Sequence, residues 1–255
     1  MSPATQAKAE PGPAGGPFTL AIDIGGTGLK ASVLDHRGEM AAPRVHLPTP
    51  QPCPPPVLLA ALAEMVGKLP AFHRVSAGFP GAVRGGIVLT APNLGTEAWA
   101  GFPLESQLTE RFGRPARVLN DAEVQGLGVI GGAGMEMILT LGTGAGMAIF
   151  LDGQMAPHLE LSQHPVHNDL TYDAYLGKAA LDKIGPRHWN KRVRKAIAIL
   201  ERVVLFDTLY IGGGHAARLA GNFPANVKIV ANEAGITGGI ALWRGPGAIS
   251  SPAIP

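Results

Sequence analysis

The sequence has a single cysteine, Cys53. One thiol excludes an internal disulfide and any zinc site built on a Cys-x-x-Cys pair, and it fits a cytoplasmic protein. Charge is also sparse. Charged residues make up 16% of the 255 and the net charge is +2, too little to argue for a nucleic-acid partner. No apolar run approaches the roughly 20 residues that a membrane-crossing helix needs, so no membrane partner is expected. Hydrophobic residues, by contrast, reach 46%, which suits a globular chain with a full core. The length allows one large domain or two small ones.

Residues 1–17 are rich in Ala, Pro and Gly, without the apolar centre or basic leader of a signal peptide, and are expected to form a disordered tail. Residues 244–255 have the same character. Between the tails, apolar periodicity predicts three antiparallel strands at 18–24, 29–35 and 40–46. A proline-rich link leads into a helix over 57–68, a strand at 75–79, a short strand at 84–90 and a helix over 104–112. A strand ending at Leu119 then runs into a helix over 122–129. A second strand pair, 137–141 and 147–150, echoes the opening hairpin and suggests a duplicated sheet domain with a cleft between its halves. Helices are expected at 171–184, 189–204, 215–220 and 234–243, with strands at 207–211 and 227–231.

The chemistry sits in the turns. Asp23-Ile24-Gly25-Gly26-Thr27-Gly28-Leu29-Lys30 joins two strands through a turn whose backbone N–H groups no bulky side chain shields. Such a nest can hold a phosphate oxygen. Asp23 can position a hydrated Mg²⁺, and Thr27 and Lys30 can donate to the same anion. An ordinary glycine hairpin is the competing reading. Gly142-Thr143-Gly144-Ala145-Gly146 repeats the pattern, and two such loops facing each other suit a polyanionic phosphoryl donor.

Asn120-Asp121 stands where a strand gives way to a helix. A carboxylate held there can accept a proton from an attacking hydroxyl, while helix N-capping is the competing role. Asn93-Leu94 with Trp99 offers an amide for hydroxyls and a ring for a sugar face, or else a polar loop beside a core tryptophan. Glu160 and His164 supply a carboxylate and an imidazole suited to hydroxyls. His158, His164 and His167 hint only faintly at metal, and no metal-binding residue is assigned. The run from Arg187 to Lys195 is either a solvated helix face or a track for a long polyanion such as polyphosphate.

These pieces together resemble the ROK sugar kinases of the actin-like ATPase superfamily, and within that family the polyphosphate/ATP-dependent glucokinase branch. The motifs that carry the likeness are Asp23 to Lys30, Gly78-Phe79-Pro80-Gly81, Asn93-Leu94, Leu119-Asn120-Asp121-Ala122, Leu141 to Gly144 and Ile211-Gly212-Gly213-Gly214. They occur in the family's order. The resemblance implies two α/β lobes of the ribonuclease H-like type around a central cleft, with residues 18–120 in one and 121–243 in the other, and the last helix packing back on the first lobe. It implies Asp121 as the catalytic base, with Asn93, Asn120, Asp121, Glu160 and His164 at the sugar. Asp23, Gly25, Gly26, Thr27, Lys30, Gly142, Thr143 and Gly144 would hold the donor's phosphates, and Gly213 and Gly214 would lie beside adenosine.

The expected reaction is phosphoryl transfer from ATP or polyphosphate, with Mg²⁺, to a hexose hydroxyl, glucose O6 first. A homodimer is expected. The chain departs from the family in its sugar pocket, where the usual Glu-x-Gly-His reads Glu160-Leu161-Ser162-Gln163-His164. A later sugar-binding glutamate has Asp173 as its nearest substitute. The alternatives are a sugar-sensing regulator on the same scaffold and a kinase for N-acetylmannosamine or fructose. Retention of Asp121 favours an enzyme, as does an N-terminal tail unlike a helix-turn-helix.

Overall fold

The structure, a computed structural model, describes residues 16–231 and 233–244. Residues 1–15 and 245–255 of the two expected tails lie outside the described residues. The chain opens with β1 (Thr19–Ile24), β2 (Gly28–Leu34) and β3 (Val45–Pro48), then α1 (Pro55–Val66) and β4 (Arg74–Phe79). A small hairpin, β5 (Val83–Arg84) and β6 (Ile87–Val88), leads to α2 (Thr96–Trp99), α3 (Leu104–Phe112) and β7 (Ala116–Asn120). The first sheet is ordered β3-β2-β1-β4-β7. Its first three strands are antiparallel, and β1, β4 and β7 run parallel. The helices α1 and α3 supply the crossovers that parallel pairing requires.

After α4 (Asp121–Leu127) the plan repeats. β8 (Met135–Leu141), β9 (Ala145–Leu151) and β10 (Gln154–Met155) form the meander. β11 (Pro165–His167), β12 (Leu170–Thr171), α5 (Tyr172–Leu176) and α6 (Lys178–Val204) follow, and β13 (Thr208–Gly212) and β14 (Val227–Ile229) complete the sheet. Its order, β10-β9-β8-β13-β14, has the same third-second-first-fourth-fifth arrangement as the first, with parallel pairing at the same places. Each sheet has its own core. One gathers on Phe79 and Trp99, the other on Trp189, Leu176 and Leu200. This is the mixed two-sheet α/β architecture expected from the motifs.

The two halves meet at α4, which packs against β4 and β7 of one sheet and β8 and β9 of the other. The closing segment, α7 (Ala234–Thr237) and a 3₁₀ stretch Gly238–Trp243, turns back onto the first sheet. There Ser76 Oγ donates to the Gly239 carbonyl at 2.7 Å and receives the Trp243 indole N–H at 2.8 Å.

Four local expectations change. The third strand slides to 45–48, because Asp35 Oδ1 accepts the N–H groups of Arg37, Gly38 and Glu39 and closes the preceding turn locally. The strand expected at 84–90 is a hairpin, since Gly85 and Gly86 both take positive φ (56° and 75°). The helix ending at 184 and the one starting at 189 run together as α6, with a kink at Gly185 (φ 73°) before Pro186. Between β13 and β14 only a 3₁₀ turn, Ala216–Arg218, forms.

Candidate active site

Both glycine turns open into one cleft of about 450 Å³ between the sheets. That size can hold a small sugar with part of a donor. In the first turn Gly25 N–H closes on the Gly28 carbonyl at 3.0 Å. The turn is held from outside, since Thr49 donates to the Gly25 carbonyl at 2.6 Å and Gln51 to that of Gly26 at 3.1 Å. Asp23 and Lys30 are direct cross-strand partners in the β1–β2 register, and their side chains pair at 2.7 Å. In the second turn Gly142 N–H closes on the Gly144 carbonyl at 2.9 Å. The Lys178 N–H, at the start of α6, donates to the Thr143 carbonyl at 2.9 Å. The two turns touch: the Thr27 and Thr143 hydroxyls lie 3.3 Å apart across the cleft.

Asp121 sits in the first turn of α4, where its Oδ1 shares the Ala122 N–H with Asn120 at 2.8 Å. The Asn120 side chain accepts the Ala122 N–H at 2.9 Å, and Glu123 Oε2 reaches back to the Asn120 N–H at 3.0 Å, forming a capping box. The Asn120 amide donates to the Gly81 carbonyl at 3.1 Å. Its polar atoms are thus engaged in holding the helix start, although Asn120 also lines the cleft. Asp121 faces the cleft because glycines on both sides admit it. A Cβ at Gly78 would press on the Asp121 backbone at 3.2 Å, and one at Gly146 would stand 3.2 Å from Ala122. Burial, reinforced by the negative charge of Asp23, pushes the Asp121 carboxyl up to about 7 against the Ala122 N–H, which pulls it down.

Asn93 and Glu160 line the cleft as well, with Asn93 packed against Gly26. His164 does not join them. It is exposed and outside the cleft lining, because the extra residue before it carries the chain past the pocket into β11. The imidazole beside Glu160 is that of His158, 3.5 Å away. Trp99 offers no sugar platform; it is fully buried and donates to the Cys53 carbonyl at 2.9 Å. Asp173 is a prop for the second turn. It accepts the Ala145 N–H at 2.8 Å, and a Cβ on Gly144 would overlap its carboxylate.

Gly213 and Gly214 line the cleft, as do Lys178 and His215. The sequence reading missed Lys178, Ser162 and Gln125 in the lining. Gln125 falls one helical turn after Asp121, a spacing that could have found it. Its amide nitrogen is buried without a hydrogen-bond partner among the described residues. Among those residues no three His, Cys, Asp or Glu side chains cluster as metal ligands, and His158 and His167 meet different partners, Glu123 and Lys195. The oxygen donors do fit a hydrated Mg²⁺. Lys30 occupies one oxygen of Asp23, and the second is uncommitted among the described residues. A hard carboxylate beside a phosphate site suits that ion.

Comparison with known proteins agrees with this geometry. Residues 19–157 match the model of the ROK family. The chain belongs to the ROK family. A polyphosphate glucokinase of Mycobacterium tuberculosis (strain H37Rv) is 29% identical over 235 residues, spanning 85% of this chain and 88% of the relative. The crystal structure of an inorganic polyphosphate/ATP-glucomannokinase from Arthrobacter sp. strain KM superposes with a TM-score of 0.81 at 30% identity, over 90% of this chain and 100% of that one. A ROK family glucokinase from Streptomyces griseus, solved with glucose and AMPPNP, shares the fold with a TM-score of 0.71 at 20% identity, over 88% and 98%. Among the described residues no helix is long and apolar enough to cross a membrane.

Proposed function

We propose that this ROK protein is a sugar kinase, transferring the terminal phosphoryl group of ATP or polyphosphate to a hexose hydroxyl, with glucose O6 as the acceptor. The observation that carries the reading is the position of Asp121, a half-buried carboxylate held at about 7 beside two glycine turns that meet at Thr27 and Thr143. A base near neutrality takes a proton from an alcohol as it attacks yet is ionised in the resting enzyme. Phosphoryl transfer asks for little more than positioning and charge neutralisation.

In this reading Asn93 and Glu160 hold sugar hydroxyls so that the reacting oxygen faces Asp121. The turns Gly25-Gly26-Thr27 and Gly142-Thr143-Gly144 cradle the donor phosphates, with Lys30 and Lys178 adding positive charge. Gly213 and Gly214, without side chains, leave room for adenosine. Asp23 would hold Mg²⁺, which when bound supplies charge neutralisation on the donor's phosphates. Closure of the two halves excludes water, the competing acceptor.

The deciding experiment pairs glucose, mannose, N-acetylmannosamine and fructose with ATP and with polyphosphate in a coupled assay. Glucose is expected to give the highest kcat/KM with at least one donor. No turnover with any pair would overturn the kinase reading, and strong preference for another sugar would overturn glucose alone.

A further inference from the structure

His158 is absent from the cleft wall, yet it joins a carboxylate of that wall, Glu160, to a buried one on α4, Glu123. Its Nδ1 lies 2.8 Å from Glu123 Oε1 on α4, and its Nε2 lies 3.5 Å from Glu160 Oε2. The side chain is 11% exposed and that of Glu123 only 2%. Nε2 is fully buried without a hydrogen-bond partner among the described residues, and Glu160, at ion-pair distance, is the carboxylate it faces. Glu123 in turn holds the Asn120 N–H through its other oxygen, one residue before Asp121. A continuous side-chain path therefore runs from the cleft carboxylate to the start of the helix bearing the base.

We propose that His158 is a positioning residue, a cationic strap that fixes Glu160 relative to α4 and so sets the acceptor sugar in register with Asp121. The sugar half of this statement rests on the kinase reading; the strap itself does not. An imidazolium has two N–H donors, and here each faces one carboxylate. A cation between two carboxylates offsets the cost of bringing both toward the interior. Thr90 and Ser162 also donate to Glu160, but both are neutral.

Burial works against the charged ring, but Glu123 and Glu160 outweigh it and hold His158 up at about 9. Burial likewise works against ionised Glu160, and His158 with Ser162 reverses it, holding the carboxyl below its usual range. The charged groups facing the ring are Glu123 from α4 and Glu160 from its own loop, with Asp121 beyond them.

The test uses the full chain as wild type, His158→Gln and Glu123→Gln, with two readouts. An NMR titration of the His158 ring, assigned by its loss in His158→Gln, should give a value near 9. That value should fall toward the ordinary imidazole range in Glu123→Gln. Kinetics from pH 5 to 8 should show the glucose KM of His158→Gln raised about tenfold, roughly the effect of one pKa unit. The rise should be greatest at the acid end, where Glu160 now protonates, and the donor KM should be unchanged.

Should His158→Gln fail to fold, Glu123→Gln is expected to show the same glucose-specific KM rise. A ring that titrates near the ordinary 6.5 in wild type would overturn the strap. An unchanged glucose KM at every pH would overturn the positioning role. A wild-type protein that phosphorylates no hexose would overturn the kinase reading together with the sugar half, while the ring titration still decides the strap.

Discussion

Asp121 and Asn120 are adjacent polar residues with opposite duties, and the difference is testable. Because Asn120 caps α4, Asp121→Asn should fold normally while kcat falls roughly 10²–10⁴-fold. Near wild-type turnover would remove Asp121 from the role of base. The pH dependence follows from its raised ionisation. The base is active when deprotonated, so kcat/KM should fall as pH drops through about 7. The stability consequence has the opposite sign. A carboxyl whose folded value is raised favours folding below its unfolded value, and that contribution disappears as pH rises through about 7. At pH 8 Asp121→Asn should therefore melt at or above the wild-type temperature, an unusual outcome for a crippled enzyme. On the acceptor side, Glu160→Ala should weaken glucose binding by calorimetry and leave nucleotide affinity nearly unchanged. Equal losses for both ligands would place Glu160 in the fold and not at the sugar.

At the scale of elements, the second glycine turn depends on what lies beneath it. Asp173 fills the space next to Gly144, and a side chain at Gly177 would collide with the Thr143 and Asp173 carbonyls. Gly144→Ala must displace the Asp173 carboxylate from the Ala145 N–H. The expected result is a raised donor KM, an unchanged glucose KM and a loss of about 1–3 kcal/mol in chemical denaturation. An unaffected donor KM would mean that the turn does not hold the donor. The basic stretch of α6 leads to a different expectation. Arg192 lies over the Tyr175 ring and donates to its carbonyl, Arg194 covers Phe223 and donates to the Ala220 carbonyl, and Lys195 meets His167. None of them lines the cleft. Changing Arg192 and Lys195 together to Ala should thus move the polyphosphate and ATP KM values by similar factors; a selective rise for polyphosphate would restore the track.

For the molecule as a whole, the repeated sheet plan was legible because both meanders carry the same apolar-run, glycine-turn, apolar-run signature. Local turn chemistry marked the two glycine turns that line the cleft for the same reason. What stayed hidden depends on distance along the chain. His158 gave no local sign of its role, since Glu123 lies 35 residues away. Trp99 looks alike in sequence whether it covers a sugar or fills a core, and only the packing of Phe79 and Phe102 around it decides. The return of the last helix onto the first lobe was expected, but the contacts that hold it are long-range. Trp243 is held between the guanidinium groups of Arg74 and Arg117, 5.1 and 4.3 Å from its ring, and bonds to Ser76. Trp243→Ala should cost on the order of 2–3 kcal/mol in urea unfolding, and a neutral result would show that the segment is not integral to the fold.

The seating of α4 on glycines from both sheets has a mechanical meaning. A helix wedged between two bodies acts as their axle, and points on an axle travel least when the bodies swing. Asp121 is part of that helix, whereas Thr27 and Thr143 lie on turns that the two sheets carry to the cleft. A rotation of a few degrees about α4 is then expected to move the two turns further than the Asp121 carboxylate.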